Sequence, residues 1–432
     1  MSLALRNRAC GLLLLVAIMT LVGQASGQPE VVTSITKSAY LKTDVLVNML
    51  DVLSGGSAAV QDADLLETVI RQDLDYSGFF RVGTSEDQAD TLDFMYIIDG
   101  SVEGPLRDAE ITGEDAPTTV TLNFRDFASR SLIFSKRYRP LPDQMRATAH
   151  HFAEQVIEYI TPSPAITTSR VVFCRGTGGR ADLFVIDYDG FGEMRLTANR
   201  TLNVCPAWSP DGSEIAFTSY RNGMQGLFSL DTGTGSVRSV IELEGLNFGA
   251  DWHPDGHELL LAMSRGGNPE IYRISPEGRI IKRLTVAKSI EVSPSWAPNG
   301  RELVFTSDRT GTPQLYIIDE EGTGRRRRTF EGQYNDSADW SPDGKRIVYT
   351  SRDNNRNRIV VMDASGENRQ ILTYESSWGN CEDPSWAPDG RHIVFTSDRT
   401  GVFKLYVYDV DEGVSRQLTF GNDPDTTPAW SH

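Results

Sequence analysis

Trp208-Ser209-Pro210-Asp211-Gly212 is the stretch that decides the fold, because it returns. Trp252-His253-Pro254-Asp255-Gly256, Trp296-Ala297-Pro298-Asn299-Gly300, Trp340-Ser341-Pro342-Asp343-Gly344 and Trp386-Ala387-Pro388-Asp389-Gly390 repeat it. A sixth copy stops at Trp430-Ser431-His432. The tryptophans stand 44, 44, 44, 46 and 44 residues apart. Within each turn Pro fixes φ, Asp bonds its own backbone and Gly supplies positive φ. A fixed period near 44, built of short strands and turns, predicts a β-propeller with one blade per repeat.

Each repeat reads as four strands, a to d. Strand a carries the Trp. Strand b is apolar and β-branched, at 215–218, 259–263, 303–306, 347–350 and 393–396. Strand c follows at 227–231, 271–275, 315–319, 359–363 and 405–409, alternating or continuously apolar as a strand packed between blades should be. Strand d ends near Leu-Thr, at 196–197, 284–285, 372–373 and 418–419. The two ends of the repeat region are out of phase. The first copy starts at strand b (171–174), and the last holds only strand a (428–430). Placing the last strand a beside the first strand b closes a ring of six blades and leaves no raw sheet edge. The length agrees, since residues 170–432 number 263 against an ideal 264. An open solenoid would leave both termini uncapped.

The first 27 residues read as a cleaved secretory signal. Arg6 and Arg8 precede an apolar run at 12–22 that is too short to span a bilayer, and Ala25-Ser26-Gly27 offers a small-residue cleavage site. Cys10 lies ahead of the apolar run and is not placed to be a lipoprotein cysteine. An exported protein with no direct membrane insertion is expected. Residues 28–165 carry no repeat and read as a small mixed α/β domain. Helices are expected at 62–75, with Asp62 as N-cap, and at 142–160; strands are expected at 94–99, 120–124 and 131–138. Thr161-Pro162-Ser163-Pro164 reads as a hinge ahead of the propeller at 166–432. The fold class is thus multidomain: a small N-terminal α/β domain, then a six-bladed all-β propeller closed by the C-terminal strand.

The formal charge is −17, and removal of a leader with two Arg and no acid leaves −19. Nothing broadly basic tracks a phosphate backbone, so nucleic acid is excluded as a partner. Arg325–Arg328 is a local exception in a c–d turn, read first as a solvated turn and second as an acidic contact. Cys174, Cys205 and Cys381 remain after processing, an odd number; Cys174 and Cys205 are the pair whose positions would allow a bridge. No nucleophile elbow or zinc-helix motif occurs, and no hydrolase segment follows the propeller. His253 and His257 flank a turn, which suits repeat variation better than a metal pair. No catalytic residue is expected.

The carboxylates ahead of strand a are more informative. Glu291, Asp336, Glu382, Asp383, Asp423 and Asp425 fall in d–a loops, which must open on one face together with the b–c loops. Three readings compete: solvated loop acids, a cation such as Ca²⁺ in the channel, or the rim of a protein-binding face.

The layout of leader, α/β domain and Trp-Ser-Pro-Asp-Gly propeller resembles the TolB family of the periplasmic Tol-Pal system. More specific are the LLETVIRQDLDYSGFF segment at 65–80, IIDGSVEG ending at Gly104, LFVIDYDG at 183–190 and the terminal Pro428-Ala429-Trp430-Ser431. The resemblance implies a monomeric, non-enzymatic periplasmic scaffold that supports outer-membrane integrity and invagination during cell division. It implies a peptidoglycan-associated, Pal-like lipoprotein on the propeller face, contacting Asn247, Phe248, Glu291, Val292, Asp336, Ser337, Glu382, Asp383, Asp425 and Thr426. It also implies a TolA-like inner-membrane partner for a switch arm at 28–38. This chain departs from the family in several of these loops, and its arm region differs at Lys37 and Tyr40. The propeller of an exported peptidase-like or ligand-binding protein is the alternative.

Overall fold

The computed structural model describes residues 42–86, 88, 91–104 and 118–431. The expected leader and switch arm lie outside these residues. Two compact units are present, Lys37–Thr168 and Ser169–His432. The boundary falls a few residues beyond the expected hinge because Thr167 and Thr168 still belong to the first unit. Their hydroxyls donate to the His150 carbonyl at 3.0 Å and to Glu154 Oε1 at 2.8 Å.

The N-terminal unit is a mixed sheet with two helices. Its strands are β1 (Thr43–Val47), β2 (Asp51–Ser54), β3 (Phe80–Gly83), β4 (Phe94–Glu103), β5 (Thr119–Asp126) and β6 (Leu132–Tyr138). They run in the order β3-β1-β4-β5-β6, with β2 also on β4. Pairings of β1 and β2 are parallel, and β4-β5-β6 form an antiparallel meander. Helices α1 (Gly56–Tyr76) and α2 (Met145–Ile160) share one apolar core with Val45, Ile98, Leu122 and Phe124. The apolar stripe Leu66, Val69, Ile70 and Leu74 is buried, as its spacing predicts. Asp62 does not cap α1. The helix starts two turns earlier, after Gly55 at φ 102°, and Ala58, Ala59 and Val60 extend it. Gly55 is required there, since a Cβ would stand 2.5 Å from Gly104 Cα.

The second unit is six four-stranded antiparallel sheets, each ordered a-b-c-d. Five blades follow the chain. Their a strands are Asn203–Trp208, Asn247–Trp252, Glu291–Trp296, Tyr334–Trp340 and Cys381–Trp386, which begin blades 2 to 6. Blade 1 is built from both ends: Asp425–Trp430 supplies strand a and pairs with strand b, Arg170–Arg175. Partners run from Asp425↔Arg175 to Trp430↔Val171, so the ring closes as the phase of the repeats predicts. The cores lie between blades. Val172, Leu183 and Val185 of blade 1 pack with Trp208, Ile215 and Phe217 of blade 2. Burying one such Phe side chain contributes about 1.5–3 kcal/mol, and neither blade buries that surface alone.

The Leu-Thr ending of strand d has a physical cause. Thr197, Thr285, Thr329, Thr373 and Thr419 each accept one N–H of their blade's strand c, from Leu183, Ile271, Leu315, Ile359 and Leu405, at 2.9–3.0 Å. The hydroxyl stands in for a ladder bond where strand d has already turned away. Blade 2 lacks the Thr, and there Leu227 pairs directly with Ile241.

The Cys174–Cys205 bridge does not form. Cys174 and Cys381 are free, buried thiols. Burial pushes Cys174 up to about 12, and its sulfur accepts from Thr427 Oγ1 at 3.0 Å. No described helix is long and apolar enough to cross a membrane.

Candidate docking face and central channel

The residues that enter strand a fall into successive slots, and each slot has its own direction. The first holds Asn203, Asn247, Glu291, Asn335, Cys381 and Asp425, all fully buried. Asn247 Nδ2 donates to the carbonyls of Leu243 (2.6 Å) and Gln225 (3.0 Å). Glu291 pairs with Arg309 and accepts from Ser307 at 3.2 Å. Asp425 pairs with Arg175 at 2.5 Å and with buried Lys404 at 2.9 Å. Lys404 Nζ also donates to the Phe420 and Asp423 carbonyls, tying down the loop that enters blade 1. Asn247, Glu291 and Asp425 are expected from the resemblance as partner contacts on the propeller face; they are turned inward and spent on the loop backbone and on ion pairs.

The second slot reaches toward the preceding blade. Asp336 accepts from Thr306 of blade 4 at 2.7 Å and from the Tyr334 hydroxyl at 2.7 Å. Glu382 accepts from Asn357 of blade 5 at 2.5 Å. Phe248 and Asp336 are buried, whereas Val292, Glu382 and Thr426 keep some exposure. The third slot holds Cys205, Gly249, Ser293, Ser337, Asp383 and Thr427, all at φ between 48° and 63°. The strand pairing shifts register there in every blade. A bulge with its residue in the left-handed region re-aims the side chain. Here it sends the third slot into the central channel.

That channel has a volume of about 460 Å³ and is lined by strand a of every blade. Three aspartates face it: Asp251, Asp339 and Asp383. Asp251 accepts the Trp296 N–H and Asp339 the Trp386 N–H, both at 2.7 Å, so each bridges to the next blade. Ser385 does the same for Trp430 at 3.1 Å. Asp383 Oδ1 accepts from Ser337 at 3.1 Å, and its buried Oδ2 has no hydrogen-bond partner. Burial pushes Asp251 up to about 7, Asp339 to about 6 and Asp383 to about 8; Glu382 beside Asp383 adds to the last. Ca²⁺ binds through six to eight converging oxygens. Among the described residues, no three channel carboxylates bring ligand atoms within 4.8 Å of one another.

The apolar feature of the face was not legible beforehand. Val286, Phe330, Tyr374 and Phe420 are 75%, 74%, 60% and 70% exposed. Each follows a strand-d threonine, so they open the d–a loops of blades 3 to 6 on one face. Their spacing of 44, 44 and 46 residues was the available signal. The basic run is engaged within the propeller: Arg326 pairs with Glu302, Arg327 lies over Phe330 at 5.0 Å and Arg328 donates to the Ser365 carbonyl of blade 5. His253 meets Trp296 edge-on at 4.7 Å with Nε2 3.1 Å from the Gly300 carbonyl, an inter-blade contact.

These features define a closed six-bladed propeller of the Trp-Pro-Asp-Gly repeat type, with a loop-built face over an acidic channel. The TolB beta propeller domain matches residues 157–378, just over half of the chain, and the chain belongs to that family. A TolB homologue of Chlorobium chlorochromatii is 32% identical over 245 residues, 54% of each chain. A Tol-Pal system TolB of Desulfosudis oleivorans is 34% identical over 107 residues, 25% of this chain and 24% of that one. The chain thus spans about half the length, or less, of these curated relatives. The crystal structure of TolB from Acinetobacter baumannii superposes with a TM-score of 0.74 at 22% identity, covering 90% of this chain and 96% of that one, which establishes the shared fold.

Proposed function

We propose that this chain is the periplasmic scaffold of a Tol-Pal-type envelope complex and not an enzyme. Its d–a face docks a peptidoglycan-associated lipoprotein, and the arm at 28–38 engages a TolA-like inner-membrane partner. Through these contacts it supports outer-membrane integrity and invagination during division. The observation that carries this reading is the set of exposed apolar side chains on four consecutive d–a loops, Val286, Phe330, Tyr374 and Phe420. Large exposed apolar groups, held by a rigid scaffold on one face, suit a protein partner. Relatives named as Tol-Pal system proteins point the same way. Of the ten contact residues expected from the resemblance, Val292, Ser337, Glu382 and Thr426 keep surface for a partner. Asn247, Glu291 and Asp425 act beneath the face, by holding its loops. The test is a binding titration of the full chain against the soluble domain of a peptidoglycan-associated lipoprotein. Phe330→Ser with Phe420→Ser should weaken binding by about tenfold or more. Undiminished binding removes this face from the reading.

A further inference from the structure

Among the described residues the channel aspartates have no cationic partner, although carboxylates that open strand a do. Asp425 has Arg175 and Lys404, and Glu291 has Arg309. Asp251, Asp339 and Asp383 face the channel with only N–H and hydroxyl donors: Trp296 N–H, Trp386 N–H and Ser337 Oγ. Among the described residues lining the channel there is no Lys, Arg or His. Asp383 is the sharpest case. It is nine-tenths buried, and its Oδ2 lacks any hydrogen-bond donor. A buried carboxylate oxygen left without a donor is costly and calls for an explanation.

The groups around Asp383 do not supply the missing charge. Ser337 and the Thr427 backbone give uncharged donors, Thr350 Oγ1 only accepts the Asp383 N–H, and Glu382 and Asp336 add negative charge. The channel, at about 460 Å³, is far larger than a bare ion needs and falls in the range of pockets that hold organic groups. Its carboxylates stand on blades 3, 5 and 6 and do not converge on one point as ligands of a hard metal ion do. A side chain with an apolar stem and a charged head suits it better. The stem would run past the strand-a residues Pro294, Ala338 and Pro384, which also line the channel, and the head would meet Asp383.

We infer that the channel is a receptor for one ammonium or guanidinium group, carried by a Lys or Arg of the partner docked on the d–a face. The inference rests on the docking proposed above and names the chemistry recognised at its centre. Asp383 Oδ2 accepts the head group's N–H, and Asp251 and Asp339 supply the surrounding field. A charge-assisted hydrogen bond in such a setting is stronger than a neutral one.

The test uses the full chain with n-butylammonium chloride as probe, against sodium chloride of equal ionic strength and against calcium chloride. The readout is intrinsic fluorescence of the channel tryptophans. A saturable change with butylammonium is expected. It should weaken by about tenfold in Asp383→Asn and more mildly in Asp251→Asn, both checked for native circular dichroism. No saturable change, a response unaltered in both variants, or saturation by calcium alone overturns the inference. Competition with a lipoprotein separates the two proposals. If the lipoprotein binds while butylammonium neither binds nor competes, the cation receptor falls and the docking reading stands. If butylammonium binds and the lipoprotein does not, the docking reading falls and the cation receptor stands.

Discussion

Blade 1 and blade 4 carry the same four-stranded sheet but are held in different ways. In blade 4 strands a and b are joined by the tight turn at Pro298-Asn299-Gly300. In blade 1 the same pairing joins residues about 250 apart in sequence, with no turn at all. The connection missing from the chain is offset by charge: Asp425 binds Arg175 across the strand pair and Lys404 from blade 6. Trp430 and Ser431 add hydrogen bonds to Ser169 and Arg170, at the start of the propeller chain. The difference teaches that a ring closed by non-local pairing needs specific anchors, because it bears a loop-closure cost that a hairpin does not.

The most direct way to break the comparison is to remove blade 1's strand a. Deleting Pro428–His432 exposes the edge of strand b and opens the inter-blade core against Trp208, and should give the largest fall in melting temperature. A truncated chain that melts with the wild type would mean that closure contributes nothing. The next effect is Asp425→Asn, which leaves Lys404 buried without its counter-charge; the expected loss is about 3–5 kcal/mol in urea unfolding. Glu291→Gln in blade 4 should cost less, since Arg309 retains partial exposure and the turn still holds the strands. Equal losses would show that the clasp is no more demanding than an ordinary blade.

The channel sharpens the contrast, because its acids come from blades 3, 5 and 6 and neither blade 1 nor blade 4 supplies one. Asp251, Asp339 and Asp383 are raised by burial to about 7, 6 and 8. The folded state therefore binds protons that the unfolded chain, near its ordinary carboxylate value, has released. Their contribution favours the fold at low pH and is lost as pH rises through about 6 to 8. Stability should increase from pH 8 to pH 5, and Asp383→Asn should flatten the upper part of that slope. Groups such as Asp211, held near 2 by Ser209 and Ser213, act in the opposite direction only below the usual carboxylate range. A stability that falls steadily from pH 8 to pH 5 would contradict this account.

The same contrast explains what was legible in the sequence. The tryptophans and Pro-Asp-Gly turns recur because every blade needs them, so blade number and closure followed from spacing alone. The direction of Asp425 did not. The bulge at the third slot breaks the simple alternation of strand a, and which carboxylates turn inward cannot be read from polarity. Phe330 and Phe420 escaped notice for the opposite reason: they pack against no core, so no pattern demanded them. In the N-terminal unit, Asp62 looked like a helix cap because it precedes an apolar run, but the Ala58-Ala59 turn before it was already helical.

The smallest effects separate the threonine locks of strand d. Every lock accepts one strand-c N–H, but Thr285 also donates to Glu270 at 2.6 Å and Thr329 to Gln314 at 2.8 Å. In blade 6 the corresponding position is Lys404, which donates to the loop carbonyls instead. Thr419→Val should therefore lose the acceptor for one buried N–H, costing about 1 kcal/mol, while Thr285→Val also strips a partner from buried Glu270 and should cost about twice that. Glu270 keeps Arg283 and the Ala287 N–H, which limits the second loss. Blade 2 is the internal control: Ile241 occupies the same register without a hydroxyl, and Leu227 is satisfied by direct pairing. If Thr285→Val and Thr419→Val shift the urea midpoint equally, the hydroxyl acts only as an acceptor.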